Sequence, residues 1–197
     1  MEKKMLKKLI LLIGAPGSGK TTDGSNIAKN HSDITHYSTG DLLKSEVEKE
    51  TKLGKINKGF IESGELVPTD IVIDTIVGAV KNAPTDIVLL DGFPRKEKQM
   101  KFFADCLNNV DGIELSSVIE IRVSEDVARE RVLGGDESKS EDLFNNTMRI
   151  YQETIAEIEE FYNQNNLLKV IDGEQEMNIV IEEIDNFLQQ QIALLPA

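Results

Sequence analysis

A lysine and a hydroxyl set behind spaced glycines are the strongest chemical signal in the chain. Residues 14–21 read Gly-Ala-Pro-Gly-Ser-Gly-Lys-Thr, which fits the spacing G-x-x-x-x-G-K-[ST]. Glycines let a backbone curl until several N–H groups converge on one phosphate. A helix that starts at the lysine aims its positive end at the same point. Lys20 is then placed to bridge the outer phosphates of a nucleoside triphosphate, the Thr21 hydroxyl to reach Mg²⁺, and Thr22 to add a phosphate contact. A second signal is Asp91-Gly-Phe-Pro-Arg95, directly after the apolar run 87–90. An acid at the carboxyl end of a core strand is placed to hold Mg²⁺, usually through water. Arg95 then stands at the rim of the same crevice, where its planar fork suits a phosphate.

These groups need a scaffold, and the hydrophobic pattern supplies one. Apolar runs at 9–13 and 87–90 read as strands buried on both faces. Residues 34–37, 117–123 and 168–171 read as further strands, with Glu120 and Arg122 marking one more polar face. Helices are predicted at 20–30, at 40–63 as two short pieces broken near Gly54, and at 69–81 with Thr69 as N-cap. More follow at 96–108, where Met100, Phe103 and Leu107 share a face, and at 125–133, 141–163 and 177–190. Strands separated by helical crossovers predict an α/β fold with a parallel sheet.

Composition narrows the setting. The 197 residues suit one domain, and a 40% hydrophobic, 29% charged chain is globular. The net charge of −13 disfavours nucleic acid and anionic membranes as partners. Lys3, Lys4, Lys7 and Lys8 before residues 9–13 superficially resemble a signal peptide, but five apolar residues are too few. Those lysines read instead as solvating the start of the first strand. The single cysteine, Cys106, excludes an internal disulfide and points to a reducing cytoplasm.

Three further segments narrow the function: Tyr37-Ser-Thr-Gly-Asp-Leu-Leu-Lys44, Gly64-Glu-Leu-Val-Pro68, and the Asp91–Arg95 segment with Gln99 four residues on. With the glycine loop, they resemble the adenylate kinases over nearly the whole chain, through to Val170-Ile-Asp-Gly173. The stretch between Gly134 and Glu141 is short, so the resemblance is to the short-lid form, in which no zinc is expected. The resemblance implies a P-loop NTPase-type five-stranded parallel sheet of order 2-3-1-4-5, with core 1–37, 68–132 and 143–197, an AMP-binding segment 38–67 and a lid 133–142. It implies that Gly17, Ser18, Gly19, Lys20, Thr21 and Thr22 hold the ATP phosphates, and that Arg131, Gly173 and Gln175 line the ATP adenine. Thr39, Leu43, Lys44, Ile61, Val67, Gly92, Arg95 and Gln99 would form the AMP site, with Lys20, Arg95 and Asp91 catalytic and Thr21 and Asp91 the Mg²⁺ residues. The implied activity is Mg²⁺-dependent transfer of the ATP γ-phosphoryl group to AMP, giving two ADP, by a cytoplasmic monomer.

The chain departs from the family pattern in its cations. It has only five arginines: Arg95, Arg122, Arg129, Arg131 and Arg149. Lys44 replaces an arginine on the AMP phosphate, giving charge without a bidentate fork. Gly135 and Thr147 occupy two more arginine positions, and Arg149 is turned about 200° from Thr147 around a helix. Slow turnover is therefore expected. Two alternatives stay open: a catalytically impaired nucleotide-binding protein of this fold, and a kinase of this fold for another nucleoside monophosphate. Elsewhere, His31 and His36 read as surface or strand-end residues, Cys106 as a buried hydrophobe, and Glu153, Glu157, Glu159 and Glu160 as a solvated face. Residues 192–197 form an apolar tail.

Overall fold

The computed structural model describes residues 6–63, 67–134 and 140–193. The described elements are β1 (Lys7–Ile13), α1 (Lys20–Asn30), β2 (Ile34–Ser38), α2 (Thr39–Glu48), α3 (Lys52–Ser63), α4 (Thr69–Lys81), β3 (Ile87–Asp91), α5 (Glu97–Asn109), β4 (Ile113–Arg122), α6 (Glu125–Leu133), α7 (Glu141–Gln164), β5 (Leu168–Asp172) and α8 (Met177–Ala193). The strands form one parallel sheet in the order β2-β3-β1-β4-β5, as the resemblance implied. The sheet lies between two helical layers. Leu9, Leu11 and Ile13 of β1 point to one face, where they meet Ile73 and Ile76 of α4, Phe103 of α5 and Tyr162 of α7. Ile10 and Leu12 point to the other, against Ile27 of α1 and Val180, Ile184 and Leu188 of α8.

The chain lays β2 and β3 on one side of β1, then crosses to lay β4 and β5 on the other. Open α/β sheets bind ligands outside the carboxyl ends of the strands where the order reverses. Register aligns those ends, since Leu12 of β1 and Ser38 of β2 both stand level with Asp91 of β3.

Several local expectations are corrected. β4 begins at Ile113 rather than 117 because its pairing with β1 skips Ser116, an irregularity that breaks the alternation in the sequence. The break between α2 and α3 falls at 49–51, where Glu50 takes φ +51°, and not at Gly54. Gly54 lies inside α3 and is glycine for packing, since a Cβ there would stand 1.8 Å from the Glu46 carbonyl oxygen of α2. Pro68, not Thr69, is the N-cap of α4, its extended backbone turning the chain into the helix. Lys7 does not simply solvate the strand: its Nζ donates to the Ala83 and Thr85 carbonyls and pairs with Asp86 at 3.2 Å. Cys106 is half-buried at the edge of the core rather than within it. Lys3, Lys4 and the tail residues 194–197 lie outside the described residues.

Glu120, close to the carboxyl end of β4 and level with Ile13, is fully buried. It is held by Arg122, whose Nε and Nη2 donate at 3.1 and 2.8 Å, and by the Tyr151 hydroxyl at 3.2 Å. Arg122 also binds Glu159 of α7, which therefore does not belong to the solvated face, while Glu153, Glu157 and Glu160 do. Burial, reinforced by Glu120, pushes the Tyr151 phenol up, so it stays a donor. Arg122→Met leaves a buried carboxylate short of donors and is expected to cost about 1–3 kcal/mol, read as a lower urea midpoint. Adding Glu120→Gln, which removes the stranded charge, is expected to recover most of that loss.

Candidate functional site

Residues 14–19 form the turn between β1 and α1. Its shape depends on glycine, since Gly17 and Gly19 take φ +80° and +101°, a region costly for other residues. The turn leaves the backbone N–H groups at the start of α1 facing outward, a built-in anion cradle. Lys20 bends back across it, with Nζ donating to the Ala15 carbonyl at 2.9 Å. Burial brings its pKa down to about 8; the nearby Asp91 carboxylate opposes this and Arg95 adds to it. Lys20 thus stands in the field of both groups that end β3.

The loop opens on a cavity of 560 Å³. One wall is Gly17 to Asp23, the second Arg131 and Val132 of α6, the third Gly173 and Gln175 before α8 with Met177 and Val180 on it. Arg131 ties the walls together, donating to the Gly173 carbonyl at 2.8 Å and the Ser18 carbonyl at 3.5 Å. All nine residues assigned to the ATP side by resemblance line this one cavity. Four lining residues escaped the sequence reading: Asp23, Val132, Met177 and Val180. The last three are apolar groups with no chemical mark. Asp23 carries one, a charge one turn into a helix that begins on a phosphate-type loop. Burial pushes its carboxyl up to about 6, against the pull of Arg131.

The second cluster stands at the end of β3. Asp91 is buried, and its Oδ2 lies 2.8 Å from Nε2 of His36 on β2. His36 Nδ1 in turn lies 3.3 Å from the Ser25 hydroxyl. His36 is therefore no surface residue; its side chain is 9% exposed. Gly24 makes room for it, because a Cβ there would meet the imidazole at 2.6 Å. Thr39 donates its hydroxyl to the Asp91 carbonyl at 2.7 Å. Arg95 donates Nε to the Gly92 carbonyl at 2.8 Å, which leaves its terminal nitrogens free of hydrogen bonds among the described residues. The Gln99 side-chain oxygen accepts from the Arg95 backbone N–H at 2.8 Å, tying the first turn of α5 to the segment before it. Leu43 and Val67 pack against the main core cluster. Lys44 is exposed, with Asp41 3.9 Å away. The Ile61 side chain, Gly135 and Lys139 lie outside the described residues.

The remaining arginines are committed to acids. Arg122 holds Glu120 and Glu159, Arg129 holds Glu125 and Glu141 over the Phe144 ring, and Arg149 holds Glu153. Thr147 donates its hydroxyl to the Leu143 and Phe144 carbonyls of its own helix. Only Arg95 and Arg131 remain at the cavity and the β3 end.

Comparison with known proteins points the same way. The family model described as adenylate kinase matches residues 12–167. An adenylate kinase of Sulfurovum sp. (strain NBC37-1) is 49% identical over 197 residues, covering 95% of this chain and all of that protein. One of Nautilia profundicola is 48% identical over 96% of this chain and all of its own length. One of Campylobacter jejuni (strain RM1221) is 47% identical over 94% of this chain and 98% of its own.

A buried lysine burdens the free fold. The folded pKa of Lys20 lies below its ordinary 10.5, so the unfolded chain binds more protons between about pH 8 and 10.5, and stability rises with pH there. Lys20→Met is expected to be more stable than the parent at pH 7 by up to about 3 kcal/mol. In urea titrations the gap should close as pH passes from 8 to 10.5.

Proposed function

The chain belongs to the adenylate kinase family and is a phosphotransferase, and we propose that it catalyses Mg²⁺-dependent transfer of the ATP γ-phosphoryl group to AMP, giving two ADP. The observation that carries this reading is the convergence of the 14–21 loop, Asp91 and Arg95 at the carboxyl ends of β1 and β3, with Lys20 in the field of both side chains. In this reading Gly17 to Thr22 hold the ATP phosphates through backbone N–H groups and hydroxyls. Lys20 leaves the Ala15 carbonyl for the outer phosphates, and Arg131, Gly173 and Gln175 border the adenine. Arg95, its Nε fixed on Gly92, presents its free nitrogens to the AMP phosphate. Thr39, Leu43, Lys44, Ile61, Val67, Gly92 and Gln99 line the acceptor, from segment 38–67, the end of β3 and the first turn of α5. Segment 133–142 serves as a short lid. An AMP phosphate oxygen attacks the γ-phosphorus in line as the bond to the β-phosphate oxygen breaks. Positioning and charge do the work, and no covalent intermediate is needed.

The residues fit Mg²⁺. Thr21 is exposed at the first turn of α1, and Asp91 keeps one oxygen unengaged by the described residues. Mg²⁺ is commonly held by one or two such oxygens together with substrate phosphates and water, without a protein cage. When bound, the ion supplies charge neutralisation on the phosphate oxygens. We take the protein to act as a cytoplasmic monomer on ATP, AMP and ADP. The net charge of −13 supports the absence of nucleic acid and anionic membranes among its partners, and no described helix is long and apolar enough to cross a membrane. The relatives, each named adenylate kinase and matched over nearly their full length, do not favour the non-catalytic reading or a different acceptor.

A coupled assay with ATP against AMP, CMP, UMP and GMP tests the reading. AMP is expected to be the preferred acceptor, and Lys20→Ala to abolish transfer while weakening ATP far more than AMP. Equal rates with CMP or UMP, or unchanged activity in the variant, would refute it.

Turnover is expected to fall below the ~1–100 s⁻¹ typical of kinases, because three of the five arginines are held by acids and Thr147 brings no charge. The double substitution Gly135→Arg, Thr147→Arg is expected to raise kcat with little change in ATP affinity. A parent rate already in the ordinary range, with no gain in the variant, would show the charge account to be wrong.

A further inference from the structure

Asp23 is the one charged side chain of the cavity wall that makes no hydrogen bond among the described residues. It is 4% exposed. Lys20 is engaged by Ala15, and Arg131 by Ser18 and Gly173. The Asp23 backbone N–H bonds the Gly19 carbonyl at 2.9 Å, fixing the residue in the first turn of α1. Its carboxylate folds back over that turn, with Oδ2 3.0 Å from where a Cβ of Gly19 would stand. Arg131 attracts it only through space. A carboxylate with little access to water and no hydrogen bond is costly, and its place in the first turn of α1 offsets only part of that cost.

The chemistry of the cavity says what would satisfy it. Phosphate oxygens are acceptors and carry like charge, so they cannot serve. The Mg²⁺ of the reading above is assigned to Thr21, Asp91 and the phosphates, and the wall offers no second acid for a further cation. A neutral N–H or O–H donor remains. A nucleoside triphosphate offers these only on its nucleoside part, in the sugar hydroxyls and the exocyclic amine of the base.

We propose that Asp23 is a specificity-determining residue that accepts a hydrogen bond from the nucleoside part of the donor nucleotide. The proposal rests on the reading that this cavity takes ATP. A buried acceptor left unpaired rejects the analogue that lacks its donor, and a hydrogen bond to a charged group corresponds to about 10- to 100-fold in affinity. Asp23 would thereby act as the selective group on the donor side.

Calorimetric binding of ATP, 2′-deoxy-ATP, 3′-deoxy-ATP and purine riboside triphosphate tests this on the full chain. The parent is expected to bind one of the three analogues about 10- to 100-fold more weakly than ATP. The analogue singled out identifies the donor as a sugar hydroxyl or the base amine. Asp23→Ala is expected to erase that ratio, and Asp23→Asn, which keeps the shape and one acceptor oxygen, to restore part of it. Equal affinity of the parent for all four nucleotides overturns the proposal without any variant. So does a ratio that survives in Asp23→Ala or, should that variant not fold, in full in Asp23→Asn. In those cases ATP still binds and Lys20→Ala still weakens it, so the adenylate kinase reading stands. A parent that binds none of the four overturns both.

Discussion

Everything at the site depends on β1 being sealed on both faces. Five consecutive residues, Leu9 to Ile13, are buried, with β3 and β4 on either side and helices above and below. A strand so enclosed has little freedom to slide, because a shift of one residue would turn each side chain to the opposite layer. The phosphate-type loop begins where this strand ends, and its geometry inherits the strand's rigidity. Asp91 shares that reference, since β3 pairs with β1 and places its last residue level with Leu12.

On that frame the molecule accumulates charge at unusual expense. Lys20, Asp23, Asp91 and Glu120 are all withdrawn from water to a large degree, yet only two have good partners. Asp91 has His36 and the support of Thr39 around it; Glu120 has Arg122 and Tyr151. Lys20 has one carbonyl and Asp23 no hydrogen bond at all among the described residues. Uneven satisfaction of this kind is expected where binding, not folding, has set the choice of residue.

Legibility in the sequence followed the range of the interactions. The loop, the strand before it and the acid after β3 could be read because each is a local pattern: glycine spacing, an unbroken apolar run, a turn residue. The sheet order came from resemblance to a family, and so did the partners of the cavity, which come from three separate stretches of chain. Nothing in the sequence around His36 marks a partner, because Asp91 is 55 positions away and arrives only through the β2–β3 pairing. The role of Lys7 is hidden for the same reason, its carbonyl acceptors lying in the turn before β3. The β4 start is hidden because one skipped residue reverses the alternation on which strand recognition depends.

The third wall of the cavity carries a consequence for biosynthesis. Met177 and Val180 belong to α8, which is translated after every other described element, and Gly173 and Gln175 only just precede it. Chains emerge from the ribosome N-terminus first, so the loop and Lys20 are exposed to solvent long before the surface that completes their pocket exists. A nascent chain gains the full stabilisation of a bound nucleotide only once α8 has docked on Ile27 and β5. Ligand-assisted folding is thereby weighted toward chains from which α8 has already emerged.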